Sequence, residues 1–442
     1  MTTAARRRAA WYRNDDLRRL AVCLATGLTV ALMTGQDGQV GRYGSGFAAA
    51  WGGLRGLAFL AAGLVLWLVV TGLRRSGNVL RQRLAPVRAA GRQVAGNRPA
   101  RWGALAVLLV AAVVVPRFLS TFWQGVLVEQ IGIYVLLAVG LNVVVGWAGL
   151  LDLGYIAFYA IGAYTTAYLT GRLPVQPPFL LNPFWCLPAA VLACLIAGVL
   201  LGTPTLRLRG DYLAIVTLGF GEIVRIVANN SDPITNGPRG ATFIPHFSVD
   251  LPGIHYHWTL DSLPYWYQVL VVVVLVVVLF NRLEHSRIGR AWTAIREDEV
   301  AAQASGVATV RLKLLAFAIG ASTSGLAGVI YASKIGFISP DNFMLILSIS
   351  VLAYVVFGGM GSLVGVMAGA AVLTWVPQFL RDYVPATDRN TYLGAILVLM
   401  MIFRPAGIFP ARRRRTELAG PGTPEAETVT VPAAGSMGGA DR

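Results

Sequence analysis

The stretch "WYQVLVVVVLVVVLFN" (266–281) is followed, after the five residues 282–286, by the charged, helical-looking "RIGRAWTAIREDEVAAQASGVATVRLK" (287–313). The first is sixteen residues dominated by Val and Leu, close to the ~20 needed to cross a ~30 Å hydrocarbon layer. The second carries a block of charge and cannot sit in hydrocarbon. Together they predict a chain that crosses a membrane and then lays an amphipathic helix along its surface, and the rest of the sequence repeats the first half of that pattern.

Composition agrees. The chain has 442 residues, 56% of them apolar and 13% charged, where a soluble domain has about a quarter charged. Mean hydropathy is +0.63. Apolar runs recur at 18–34, 51–73, 102–119, 126–146, 150–171, 184–203, 212–228, 266–281, 314–332, 344–358, 362–377 and 391–404. The predicted fold class is therefore all-α: a polytopic membrane helix bundle of about 10–12 transmembrane helices. Gly140, Gly146, Gly149 and Gly154 stud the 141–160 stretch, so it can form one broken segment in place of two clean crossings. The first apolar run follows basic residues but precedes no A-x-A-like site, so it is expected to stay as a span rather than be removed as a signal peptide. Cys23, Cys186 and Cys194 fall within predicted spans and lack metal-ligand spacing.

The net charge of +16 would suggest nucleic acid in a soluble protein, but its distribution points to topology instead. With alternating spans, Lys and Arg number six in 1–19, eight in 74–101, two in 204–211, six in 282–313 and five in 404–415, while no segment on the other side exceeds two. The positive-inside bias then predicts cytoplasmic N- and C-termini and a cytoplasmic 287–313 helix. No nucleic-acid partner is expected. In that helix Trp292, Ile295 and the Val300/Ala304 region follow apolar helical spacing, and Arg296, Glu297, Asp298 and Glu299 fill a polar block. A surface helix on an anionic bilayer would carry Lys and Arg there, so a protein partner fits better. A helix lying on its own bundle is the alternative.

These residues carry a resemblance. Glu299, Ala301, Ala302 and Gly306 spell the ExAAxxxG coupling motif of ABC importer permeases, and "AIREDEVAAQASGV" (294–307) is similar to its form in branched-chain amino acid permeases. "LRLRGDYLAIVTLGFGEIVR" (206–225), "TNGPRGATF" (235–243), "LNVVVGWAGLLDLGYIAFYAIGAY" (141–164) and "VFGGMGSLVGVMAGA" (356–370) resemble the same family over roughly 125–410. The leading 100 residues, with two extra spans, resemble the extension of LivM-type membrane subunits and weigh against the shorter urea and amide permeases. The resemblance implies an ABC importer permease fold and inward transport of leucine, isoleucine or valine across a bacterial inner membrane. It implies as partners a homologous permease subunit, two cytoplasmic ABC ATPases and an extracytoplasmic solute-binding protein. It also implies that Arg296 to Glu299, Ala301, Ala302 and Gly306 couple the chain to an ATPase. The domains expected are an extension at 1–100, a permease core at 101–410 and a disordered cytoplasmic tail at 411–442.

Energy supply can be examined without the resemblance. A P-loop needs Gly-Lys-Ser/Thr, and the two lysines of this chain follow Leu312 and Ser333, so ATP is expected on partner subunits and no cofactor on this one. Ionisable and polar groups within spans are the remaining candidates for the translocation path or the bundle core. Glu222 and Arg225 lie three apart and can pair; Asp152 lies near a span end; Asn142 either bonds a neighbouring helix or lines a path. Gly361, Gly365 and Gly369, like Gly320, Ser324 and Gly328, form small-residue stripes, and Gly358, Gly359 and Gly361 offer a flexible turn. His246, His255 and His257 share a loop, 229–265, which is expected to be ordered, without a metal. Two rival classes remain: an ion- or proton-coupled carrier using Glu222 and Arg225, and a non-transporting receptor.

Overall fold

A computed structural model describes residues 98–205, 211–251, 254–382, 386–404 and 407–409. The spans expected at 18–34 and 51–73 and the tail at 411–442 lie outside the described residues. The chain divides into two compact units. One holds α1 (Arg98–Val114) and α12 (Ala386–Phe403); the other, Ser120–Trp375 with the residues from Arg404, holds the bundle described below.

The larger unit is built on two long helices. One is α2, Thr121–Trp147, and the other is α9, Thr309–Ile335; 78% and 67% of their most apolar windows are buried. Residues on every side of α9 are covered, from Ala316 and Phe317 to Val329 and Ile330. Both are apolar all round, the pattern of a helix enclosed by others. Around them stand α3 (Ile156–Leu169), α4 (Pro183–Thr205), α5 (Asp211–Asn230), α6 (Ser262–Glu284), α10 (Leu345–Gly358) and α11 (Leu363–Phe379). These outer helices turn residues such as Leu192, Ile196, Leu200, Val271 and Leu275 outward. An outward apolar face on a bundle with a buried core is what a bilayer solvates.

Among the described residues six helices are long and apolar enough to cross a membrane, and four shorter apolar helices accompany them. The ten match ten of the expected spans. Expectation and structure differ most at 150–171: the helix there is Ile156–Leu169, and residues 148–155 are irregular backbone, with Ala148, Leu150, Asp152, Gly154 and Tyr155 buried while Gly149 and Leu151 are exposed. A fully lipid-exposed break would leave amides unsatisfied, but protein covers most of this one.

Small residues let the helices approach. A methyl at Gly328 would meet the Tyr159 carbonyl at 2.4 Å, and one at Gly325 would meet Cys194 Sγ at 2.6 Å, so α9 lies directly against α3 and α4. Gly365 and Gly369 do the same on α11, against Gly358 of α10. Gly361 does not belong to that stripe. It has φ +86° and lies in the turn before α11, beside Gly359 at φ +113°. A left-handed turn interrupts the four-residue spacing there.

Between α5 and α6, residues 229–251 and 254–265 carry short strands and turns. β1 (Ala241–Thr242) pairs antiparallel with β4 (Phe337–Ile338), and β2 (Ser248–Leu251) with β3 (Ile254–His257). His246 Nδ1 lies 2.9 Å from the Tyr265 hydroxyl and 2.7 Å from the Ser333 carbonyl, a local bonding role that fixes the loop to α9.

Candidate functional site: a strapped surface helix and a broken helix inside the bundle

The charged stretch folds as two helices, α7 (Arg287–Glu297) and α8 (Glu299–Ala304), at the end of the bundle opposite the 229–265 loop. Each begins with a side-chain cap. Ser286 Oγ accepts from the Ile288 and Gly289 amides, and Asp298 Oδ1 accepts from Val300 and Ala301 at 2.9 and 3.0 Å. Caps of this kind contribute about 1 kcal/mol each. Asp298 is thus a cap that sets the bend between the helices.

The apolar face of α7 is bound to the chain's own bundle. Trp292 is fully buried, donates from Nε1 to the Leu312 carbonyl at 2.7 Å, and stacks on Trp147 with ring centroids 6.2 Å apart. Ile295 is buried beside it, and Glu299 pairs with the buried Lys313 at 2.5 Å. Ala302 is also buried, packed inward. The outward surface of α8 therefore consists of Val300, Ala301, Gln303 and Ala304, followed by exposed Ser305 and Gly306, with Glu297 and Asp298 exposed ahead of it. Gly306 has φ +84°, and nothing lies within 4 Å of a methyl built on it. Sequence periodicity placed Ala302 and Ala301 in one motif without separating them. In the fold a helix turns neighbours about 100° apart, so one faces in and the other out.

Arg296 connects this surface to the interior. Its guanidinium donates to the Gly146 carbonyl, and its aliphatic stem covers Gly149, where a methyl would lie 2.7 Å from Cγ. Gly146 belongs to a π-helical last turn, Asn142–Trp147, that leads into the irregular stretch. A second connection pins the same turn: Asn142 Oδ1 accepts from the Gly361 amide at 2.9 Å, and Trp147 Nε1 donates to the Gly361 carbonyl at 3.3 Å. Asn142 is thus an inter-helix bond in the bundle core, while its Nδ2 has no hydrogen-bond partner among the described residues.

Beyond Gly149 the backbone turns back toward mid-bundle and α3 begins there. Tyr155 donates to the Gly320 carbonyl at 3.0 Å, the Ile156 amide bonds Ser348 Oγ at 3.0 Å, and the Leu153 amide bonds Thr217 Oγ1 at 3.1 Å. Gly154 is crossed by α5 so closely that a methyl there would sit 1.9 Å from the Thr217 carbonyl. Asp152 is fully enclosed; its Oδ1 accepts from the Gly154 amide at 2.9 Å, and the Thr217 hydroxyl stands against the same carboxyl. A broken helix with polar groups at membrane depth, buried in protein, is a construction used where a solute passes. Tyr155, Ser348 and Thr217 were not foreseen, because only the fold brings them to the break.

Glu222 and Arg225 form an ion pair on α5, and Arg225 also lies 3.6 Å from Asp341. Their side chains are 36% and 27% exposed, so the pair stands on the open side of α5 and not in the bundle core.

Residues 125–404 match the family described as branched-chain amino acid transport system / permease component. This chain belongs to that family. The high-affinity branched-chain amino acid transport system permease protein LivM of Salmonella typhimurium is 44% identical over 338 residues, covering 71% of this chain and 76% of that protein. LivM of Escherichia coli shows the same values. The high-affinity branched-chain amino acid transport system permease protein LivH of Escherichia coli is 26% identical over 299 residues, 66% of this chain and 95% of its own length. No solved structure matches. The chain is a multi-pass LivM-type transport permease.

Proposed function

We propose that this permease is one membrane subunit of an ATP-driven importer for leucine, isoleucine and valine in a bacterial inner membrane. It would work beside a homologous permease, receive substrate from an extracytoplasmic solute-binding protein, and be driven by two cytoplasmic ATPases. The substrate class is the one named for its LivM and LivH relatives. The orientation follows the Lys and Arg bias, with both termini cytoplasmic.

The observation that carries the reading is the α7–α8 pair. Its inner face is fixed by Trp292, Ile295 and Ala302, while Val300, Ala301, Gln303 and Ala304 stay open. A small-residue surface held rigidly outside the spans suits the groove of a motor. Such interfaces depend on a few central contacts. Movement imposed there reaches the Gly146 turn through Arg296 and then the 148–155 break, without needing a flexible linker. Coupling of this kind requires that the motor bind one arrangement of the break better than another.

The test is reconstitution in proteoliposomes with a homologous permease, two ABC ATPases and a solute-binding protein from the same organism. Leucine uptake that needs ATP and all components supports the reading; uptake by this chain alone driven by a proton gradient would falsify it.

A further inference from the structure

Lys313 lies near the start of α9 and is only 4% exposed. A buried ammonium is costly without a charged partner. Among the described residues its ion-pair partner is Glu299, with Nζ 2.5 Å from Oε1. The Glu299 side chain is one third exposed, so the pair runs from inside the bundle to the first residue of α8. One residue earlier on α9, the Leu312 carbonyl accepts from Trp292 of α7. Consecutive residues of α9 thus receive both surface helices.

The need for such a contact follows from how α8 is built. Its six residues are too few to hold a helix without tertiary support. Asp298, at φ −153° and ψ 110°, breaks it from α7, so the strap at Trp292 does not set its direction. Its far end closes on itself: the Gly306 amide donates to the Gln303 carbonyl at 3.0 Å and the Val307 amide to the Ala302 carbonyl at 3.1 Å, with Gly306 at φ +84°. That Schellman closure stops the helix but does not aim it. What ties α8 to the bundle is Ala302, whose single methyl gives little direction, and the Glu299–Lys313 pair. A carboxylate neutralised by a buried ammonium has little charge left for a partner protein, and breaking the pair to serve one would strand Lys313 in the packing.

We propose that Glu299 is a positioning residue and not a motor contact: with Lys313 it clamps α8 to the foot of α9 and so aims Val300, Ala301, Gln303 and Ala304 at the motor. The inference rests on the reading of α8 as the docking surface and deepens it. It divides the ExAAxxxG motif of this chain by task. Glu299, Ala302 and Gly306 hold the helix, and Ala301 touches the partner. Lys313, outside the motif, becomes part of the docking apparatus without reaching the surface.

The test uses the full chain with a homologous permease in nanodiscs, read by amide hydrogen exchange and by affinity for two ABC ATPases from the same organism. Lys313→Met should raise exchange across 299–307 roughly tenfold while 316–330 exchanges as in the parent, because only the clamp is lost. ATPase binding should weaken about tenfold in the same variant, and Lys313→Arg, which keeps the charge, should restore most of both. Glu299→Gln should weaken docking to the same degree, and the double variant Glu299→Gln/Lys313→Met no further, since the second change removes a pair already broken. Parent-like docking by Lys313→Met, unmoved exchange at 299–307, or additive losses in the double variant would overturn the proposal and mark Glu299 as a direct motor contact. If Glu299→Gln fails to accumulate, the Lys313 variants decide alone. Raised exchange at 299–307 in Lys313→Met, with no ATPase binding even by the parent, would uphold the clamp while removing the motor reading; parent binding with unmoved exchange would do the reverse.

Discussion

Arg296 and Gly146 stand 150 residues apart in the chain, yet the guanidinium of one donates to the carbonyl of the other, joining the surface helix α7 to the last turn before the break in the bundle. The contact replaces the backbone partner that an irregular helix end lacks. If a motor docks on α7–α8 as proposed, the same contact leads from it to the break, six residues before Asp152.

Arg296→Ala should therefore uncouple the permease without unfolding it. Trp292 and Ile295 still hold α7, so loss of one charged hydrogen bond costs about 1.5–3 kcal/mol in that link. ATPase co-purification should persist, while uptake per ATP hydrolysed falls several-fold; unchanged stoichiometry would remove Arg296 from the coupling path.

Ala301→Glu and Ala302→Glu should differ. Ala301 is exposed, so its substitution should leave the melting temperature of the chain unchanged and abolish ATPase binding. Ala302 is buried, and a carboxylate there is unpaired inside the packing, which costs several kcal/mol. That variant should accumulate poorly before any question of docking arises. Gly306→Arg combines a long side chain with a left-handed φ and adds about 1–2 kcal/mol of local strain. Thermal melts paired with pull-downs of the ATPases separate the three.

Gly154→Ala should be among the most damaging small changes. Its methyl would meet Thr217 backbone at 1.9 Å, which no rotamer can relieve, whereas Gly221→Ala meets Gly154 at 3.2 Å. Overpacking of this kind costs about 1–3 kcal/mol. Uptake should be lost in Gly154→Ala and largely kept in Gly221→Ala, measured at matched membrane levels.

Removing Arg225 should harm more than removing Glu222. Arg225→Gln strands both Glu222 and Asp341, while Glu222→Gln leaves Arg225 with Asp341 at 3.6 Å. The double change should recover part of the loss, with a coupling energy on the order of 1 kcal/mol in a mutant cycle on thermal stability. A Glu222→Gln variant that assembles normally but loses proton-dependent uptake would favour a secondary carrier instead.

The amino-acid sequence by itself determined that this is an all-α membrane bundle, where ten of its spans fall among the described residues, and that the charged helices of 287–304 lie between two of them. Hydropathy and helical periodicity are local, and a bilayer leaves few ways to satisfy a backbone. Motif spacing likewise placed Glu299, Ala301, Ala302 and Gly306 together. Only the tertiary structure decided that Ala302 turns inward while Ala301 stays open, that Glu222 and Arg225 stand at the side of the bundle, and that Asn142 reaches Gly361 across 219 residues. The break at 148–155 was legible as a run of glycines, but the meeting of Asp152 with Thr217 was not. Two helices crossing at Gly154 create that meeting, and the close approach depends on which faces pack, a choice made by the whole bundle and not by any stretch of it.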